Sequence, residues 1–341
     1  MAYSQVDPVE AAKNIQLYFD QDGRYATEGF VSHGTAGHVY RIKTTTEAKT
    51  RRRIVKIPFG TDDDAAVPSR RNFLTEEAGL KALQAAMHVV NKLDTPDDPL
   101  GKPVPGGATS IVKGWVYMEW LENGTLEQFI RRAMGRSAPL PNRLIWRLLL
   151  CRKGSLPQWT VLLEVDMPSH QDSYCSVMFG HFPSDNLLEH ELTPILKMID
   201  LGGMERRSTP TSFAWDAAVQ RLLEFLSQEI EPLLFAGRNP DFLLKYDPSL
   251  DLDLYRLIDP SMGSGEAEPM SLQYMEEVAA DVILTRTAVW YRDNMPRSSL
   301  DETDEAVLRI IQELVLEPSK PKDTVADVMQ ALIEGIESLT I

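Results

Sequence analysis

The chain has 341 residues, room for two domains or one two-lobed domain. Its 43% apolar and 25% charged content is ordinary for a globular protein, and its net charge of −15 argues against a nucleic-acid partner, which needs surplus Lys and Arg. Cys151 and Cys175 are too few for a disulfide framework, the start MAYSQVDPVEAA has no leader pattern, and no apolar run approaches ~18 residues. The expected setting is the cytoplasm, or the nucleus, with no membrane partner.

In chain order, Asp7-Pro8 starts a predicted helix that ends near Asp22-Gly23. Two strands are predicted over Tyr25–Lys43, joined at Gly34–Gly37, and a third over Arg53–Pro58. Arg71–Met87 has helical spacing, with Phe73, Leu74, Leu80 and Leu83 on one face. His88–Leu93 reads as a fourth strand and Ser110–Leu121 as a fifth, separated by the turn-rich TPDDPLGKPVPGGAT. Helices are then predicted over Leu126–Met134 and Arg143–Cys151. Trp159–Val165 looks extended, and Ser176–Phe182 and Ile195–Ile199 read as short strands. Beyond Ser212 the pattern is helical: Phe213–Glu231, a piece near Leu252–Ile258, Leu272–Arg292, Asp301–Leu316 and Thr324–Ser338. Strands first and helices after imply segregated layers, an α+β arrangement.

The most informative stretch is FVSHGTAGHVYRIK followed by RRRIVKI, residues 30–57. Gly34 and Gly37 sit between two β-type runs, Val39 follows, and Lys56 lies on the next strand. Glycines in such a turn let backbone N–H groups approach phosphate oxygens, and a lysine on the neighbouring strand can neutralise them. The contiguous Gly-Lys-Ser/Thr of a Walker A loop is missing. The competing reading of Lys56 is an edge-strand lysine that protects a sheet rim.

The order of these residues resembles the protein-kinase fold. Ser32-His33-Gly34-Thr35-Ala36-Gly37-His38-Val39 matches the glycine loop except that Ser32 replaces its first glycine. Lys56 matches the strand-three lysine, and Glu76 the helix glutamate that pairs with it, with Glu77 as an adjacent competitor. Met118-Glu119-Trp120-Leu121 resembles the gatekeeper and hinge, Glu122–Leu126 the turn into the next helix, and Asp200-Leu201-Gly202 the D-F-G metal-binding element. The stretches LPNRLIWRLLLC and EHELTPILKMIDLG resemble divergent kinase-like proteins of filamentous fungi.

The catalytic loop departs from the family pattern, and two registers compete. In the first, His170-Gln171-Asp172 supplies the hydroxyl-orienting aspartate and Ser176 stands near the metal-binding asparagine position. In the second, Asn186 is the metal ligand and His181 takes the aspartate position. The helix over Arg143–Cys151, in the place of the family's helix E, looks cut short at Arg152–Ser155, no Ala-Pro-Glu anchor is evident, and the family's helix F is either Phe213–Glu231 or Glu276–Trp290 with Asp281 as its anchor. His181 and His190 read as solvated loop residues, Met118 as core, and Cys151 and Cys175 as buried small residues.

The resemblance implies a protein-kinase-like two-lobed fold. Its first lobe, residues 1–119, would carry a five-stranded antiparallel sheet with an N-terminal helix, and its second, residues 120–341, would be mainly helical. It implies ATP under Gly34, Gly37 and Val39, against Lys56 and along the Glu119–Leu121 backbone. Mg²⁺ would sit on Asp200 with Ser176 or Asn186, and Asp172, Lys56 and Glu76 would serve transfer to a Ser/Thr hydroxyl. A pseudokinase interaction module and a small-molecule phosphotransferase of the aminoglycoside or choline kinase type are the alternatives, so the acceptor is a protein or a small molecule. The glycine loop and lysine are nearly complete whereas the catalytic loop is not, which favours binding over catalysis.

Overall fold

Alternation along three consecutive runs builds the first sheet. In a computed structural model, the described residues are 15–19, 21–33, 37–45, 50–58, 68–84, 86–95, 100, 114–136, 139–153, 165–166, 177–183, 190–199, 205–206, 249–251, 253–254, 281–282, 284–295 and 300–317. Strands β1 (Tyr25–His33), β2 (Gly37–Thr45), β3 (Thr50–Pro58) and β4 (Val116–Glu119) pair antiparallel in the order β1-β2-β3-β4. Val55 and Ile57 join Tyr40, Ile42 and Tyr117 on one face, where helical residues 15–19 supply Ile15, Tyr18 and Phe19. On the other face Ile54, Val116 and Met118 meet Phe73, Leu80 and Leu83 from or just after helix α1 (Pro68–Ala82). Cover on both faces explains why β3 is buried continuously from Ile54 to Pro58. Burying each large aliphatic side chain contributes ~1.5–3 kcal/mol.

Among the described residues the sheet has four strands, not the expected five. His88–Leu93 is apolar enough for a strand, but its backbone bonds are divided between two partners. Val90 N–H donates to Met198 O and Met198 N–H to His88 O, whereas Leu93 N–H donates to Tyr117 O and Glu119 N–H to Asn91 O. Neither partner has a ladder long enough to make a strand, and only isolated bridges result. Helix α1 also stops earlier than its periodicity suggested, and Leu74 is 39% exposed instead of facing the core. The buried stripe is Phe73, Glu76, Leu80 and Leu83, which places Leu74 one position off the face.

Helix α2 (Leu126–Met134) starts with a reciprocal cap, Gln128 N–H donating to Thr125 Oγ1 and Thr125 N–H to the Gln128 side chain. Helix α3 (Asn142–Lys153) follows. Short strands β5 (Val165–Asp166) and β8 (Glu205–Arg206) pair, as do β6 (Val177–Phe179) and β7 (Leu196–Met198). Helix α4 (Ala288–Asn294) and helix α5 (Asp304–Ile311), which runs on into a π-helical turn at Gln312–Leu316, complete the described elements. Phe129, Leu144, Leu148, Phe179, Val307 and Ile311 belong to one apolar cluster spanning α2, α3, β6 and α5. Residues 272–292 were expected to be one helix, yet Thr287 caps a new start by accepting from Trp290 N–H, so Ala288–Asn294 is a separate segment. Asp281 is exposed and is no interior anchor; its carbonyl accepts from Thr285 Oγ1. Among the described residues no helix is long and apolar enough to cross a membrane.

The interior anchors are two other acids. The Glu302 carboxylate accepts from Asn142 N–H at 2.8 Å and Arg143 N–H at 3.0 Å, capping α3 from 160 positions away in sequence. Burial raises the Glu302 carboxyl pKa, against the pull of those N–H donors. Asp251, 3% exposed, accepts from Trp146 Nε1–H at 3.0 Å and Tyr291 O–H at 2.7 Å, with Arg286 at 3.3 Å. Burial, then the Asp251 charge, keeps the Tyr291 hydroxyl protonated well above its usual range. Asp251→Ala strands these donors and should lower unfolding free energy by about 3–5 kcal/mol in urea or thermal melts. Asp253→Ala, at a far more exposed carboxylate, should cost much less.

Candidate functional site

Lys56 lies on β3, which is hydrogen-bonded on both sides, so it is not an edge lysine. Strand register aligns Ser32, Val39, Lys56 and Val116 in one row across the sheet. Being one residue from Val55 and two from Ile54, Lys56 shares the face of Ile54 and points to the α1 side. There Glu76 interrupts the apolar stripe of Phe73, Leu80 and Leu83. Lys56 Nζ donates to Glu76 Oε2 at 2.5 Å, with the side chains 5% and 0% exposed. Glu77 points elsewhere and takes Lys92 at 2.8 Å. Helical periodicity makes that choice, since only Glu76 lies on the stripe.

The Glu119–Leu121 segment is held at the end of β4. Leu121 is buried, and Met118 is a core residue as expected. The Glu119 carboxylate accepts from Lys197 Nζ at 2.5 Å and from Asn91 N–H at 2.8 Å. Gly124 has φ 77°, the left-handed conformation that lets the chain turn into α2. Asn123 Nδ2 donates to Gly180 O at 2.6 Å, and Phe179 N–H to Gly124 O at 2.9 Å, which ties this turn to β6.

Gly37 opens β2 against β3. A Cβ there would lie 2.1 Å from Ile57 O, so close backbone approach requires glycine whatever the loop binds. Gly34, Asp172, Ser176, Asn186 and Asp200 lie outside the described residues, as do His170 and Cys175. The flanking ladder is described. Val177 pairs with Met198 and Phe179 with Leu196, and Ile195 N–H donates to His181 O beyond them. The chain therefore enters β6 just after Ser176 and leaves β7 toward Asp200 at one end of this hairpin. The connection that contains Asn186 departs from the other end. Met198 packs in the same cluster as Ile54, Phe73 and Val116, on the Lys56 face of the sheet.

His181 is exposed, in line with a solvated loop residue. His190 is not: it is 1% exposed, beside His88 at 5.2 Å between ring centroids. Burial, with His88 and Arg147 adding to it, pushes its pKa down to about 4, so the ring is neutral. The polar run around EHEL suggested solvent, and only packing across distant segments buries this ring. Cys151 is buried as expected, but it lies against polar atoms: Leu196 N–H donates to its Sγ at 3.0 Å.

No family model matches the chain, and no curated protein matches it significantly.

Glu76→Ala removes the carboxylate that faces the buried Lys56 ammonium and should cost about 3–5 kcal/mol. Lys56→Met combined with Glu76→Leu should be far milder than either single change, a coupling that a double-mutant cycle in urea reads directly. Gly37→Ala should destabilise the chain by about 1–3 kcal/mol without any ligand present, because the backbone of β3 must give way.

Proposed function

We propose that this chain binds ATP on the α1-facing side of its first sheet, as a member of a protein-kinase-like two-lobed architecture. The observation that carries this reading is the buried Lys56–Glu76 pair on an internal strand, in the same cross-strand row as Val39. A carboxylate that fixes an ammonium in an apolar setting orients it toward a second anion. A phosphate oxygen that reached Lys56 would be held by a charge-assisted hydrogen bond. The adenine would lie along the Glu119–Leu121 backbone and the phosphates under the Gly34–Gly37 turn.

Mg²⁺ would be held by Asp200 together with Ser176 or Asn186. The β6–β7 ladder favours Ser176, because Val177, the residue after Ser176, pairs with Met198, two residues before Asp200, whereas the Asn186 connection leaves from the other end of the hairpin. In that register Asp172 is the residue that would orient an attacking hydroxyl. The incomplete loop supports binding more strongly than transfer, so the commitment is to the nucleotide and not to a phosphoryl acceptor.

The test is the melting shift produced by ATP, with and without Mg²⁺, alongside γ-phosphate transfer to a generic protein and to amino-alcohols. ATP should raise the melting temperature of the wild-type chain. Lys56→Met should lose most of that rise relative to its own ligand-free melt, a weakening of about tenfold or more. No rise at any nucleotide concentration would overturn the assignment. A rise without transfer identifies a pseudokinase module, and transfer to an amino-alcohol identifies a small-molecule phosphotransferase. Any transfer should vanish in Asp172→Asn and survive His181→Ala.

A further inference from the structure

We propose that His88, Cys151 and His190 form a buried site for a thiophilic d¹⁰ metal ion, Zn²⁺ or Cu⁺. This site is separate from the nucleotide reading and does not rest on it. One ring nitrogen of each histidine and Cys151 Sγ all lie within 4.8 Å of one another. The three residues are 4%, 0% and 1% exposed in that order. They come from the stretch after α1, from α3 and from the stretch before β7, so the cluster is made by tertiary packing.

The donor set selects the ion. One thiolate and two imidazoles suit soft or borderline cations, and among the described residues no carboxylate joins the cluster to favour Mg²⁺ or Ca²⁺. Bonds of about 2.3 Å to sulfur and 2.0–2.1 Å to nitrogen put donors about 3.4 Å apart around a tetrahedral ion. The three donor atoms start no more than 4.8 Å apart. Closing the rest takes a rotamer adjustment of about 1–1.5 Å at most.

Two further observations point to a ligand. Neither ring nitrogen of His190 has a hydrogen-bond partner, although the ring is almost fully buried. A buried polar group in that condition calls for an ion or water beside it. His88 Nδ1 is 3.1 Å from Leu196 O, and Leu196 N–H donates to Cys151 Sγ. A backbone carbonyl that takes the N–H of a ligating histidine fixes its tautomer. A backbone N–H on the sulfur stabilises its thiolate. Arg147, one turn ahead of Cys151 on α3, is the nearby cation, and Glu191 at 3.5 Å offsets it. On binding, the Cys151 thiol gives its proton to solvent and its sulfur lone pair to the ion, with no change in oxidation state.

The experiment uses the purified full chain, stripped with chelator and then dialysed against Zn²⁺, against Cu⁺ under reductant, or against Mg²⁺. Metal is counted by mass spectrometry after gel filtration. About one Zn²⁺ or Cu⁺ per chain should be retained, and no Mg²⁺. Which of the two is held more tightly identifies the resident ion. Co²⁺ loading should give a thiolate-to-cobalt charge-transfer band that Cys151→Ser abolishes, His190→Ala strongly reduces and Cys175→Ser leaves in place. No retained ion, a band that follows Cys175, or equal retention by wild type and His190→Ala would overturn the proposal. If a variant does not fold, pulsed alkylation of the wild type decides. Zn²⁺ should slow modification of Cys151, and an unchanged rate means that water alone fills the cluster.

Discussion

A buried ammonium facing a buried carboxylate sets the geometry of the first sheet and its helix. Taking Lys56 and Glu76 out of water costs several kcal/mol per ion, and contact at 2.5 Å with good geometry is what offsets it. The pair is therefore a poor source of net stability, which comes from Phe73, Leu80, Ile54 and Val116 around it. What it supplies is register. A one-residue slip of β3 would carry Lys56 to the face of Tyr40 and Ile42 and leave Glu76 opposite an aliphatic side chain. A one-residue rotation of α1 would present Glu77 and break its contact with Lys92. Each wrong arrangement buries an uncompensated charge, so the sheet and helix have one acceptable docking.

A different device fixes the helical part. The α3 N-terminus has unpaired backbone N–H groups inside the molecule, and Glu302 satisfies two of them. Asn142 extends the arrangement, donating to Ser249 O and accepting from Asp251 N–H. Asp251 then holds Trp146 and Tyr291. Segments near 142, 251, 291 and 302 thus converge through satisfied polar groups, while Leu144, Leu148, Val307 and Ile311 supply the apolar contact. Both halves follow the same rule: apolar packing stabilises, and a few paired buried acids choose the arrangement.

Features governed by local period were legible in the sequence. The three long strands followed from alternation and α2 from its apolar stripe, whereas Glu76 was matched only through the kinase-like pattern, with Glu77 as an adjacent competitor. The fifth strand was misread because His88–Leu93 has strand composition but divides its amides between β4 and β7, a choice made by tertiary structure. His190 was misread because a polar neighbourhood does not reveal that His88 and Arg147 lie over it. Glu302 and Asp251 were invisible as anchors, since their partners on α3 are more than a hundred residues away. Asp281 looked better placed in a helical pattern and is exposed. Period reports which face a residue occupies; it cannot report which distant element covers that face.

Leu196 is where these arrangements meet. Its carbonyl lies at His88 Nδ1, its amide donates to Cys151 Sγ, and its strand pairs with β6. One residue on, Lys197 reaches the Glu119 carboxylate; the next, Met198, bonds His88 O and Val90 N–H and packs behind β4. The chain leading to Asp200 is consequently held by α3, by the stretch after α1 and by the end of β4 together. Its direction is set before any ligand arrives, because every backbone group from 195 to 198 named here already has a fixed partner. A change at Cys151 or His88 would act on that direction through Leu196. The Lys56 face of the sheet and the 195–198 segment are thus joined through Met198, which packs with Ile54 and Val116, and through Glu119 at the end of β4.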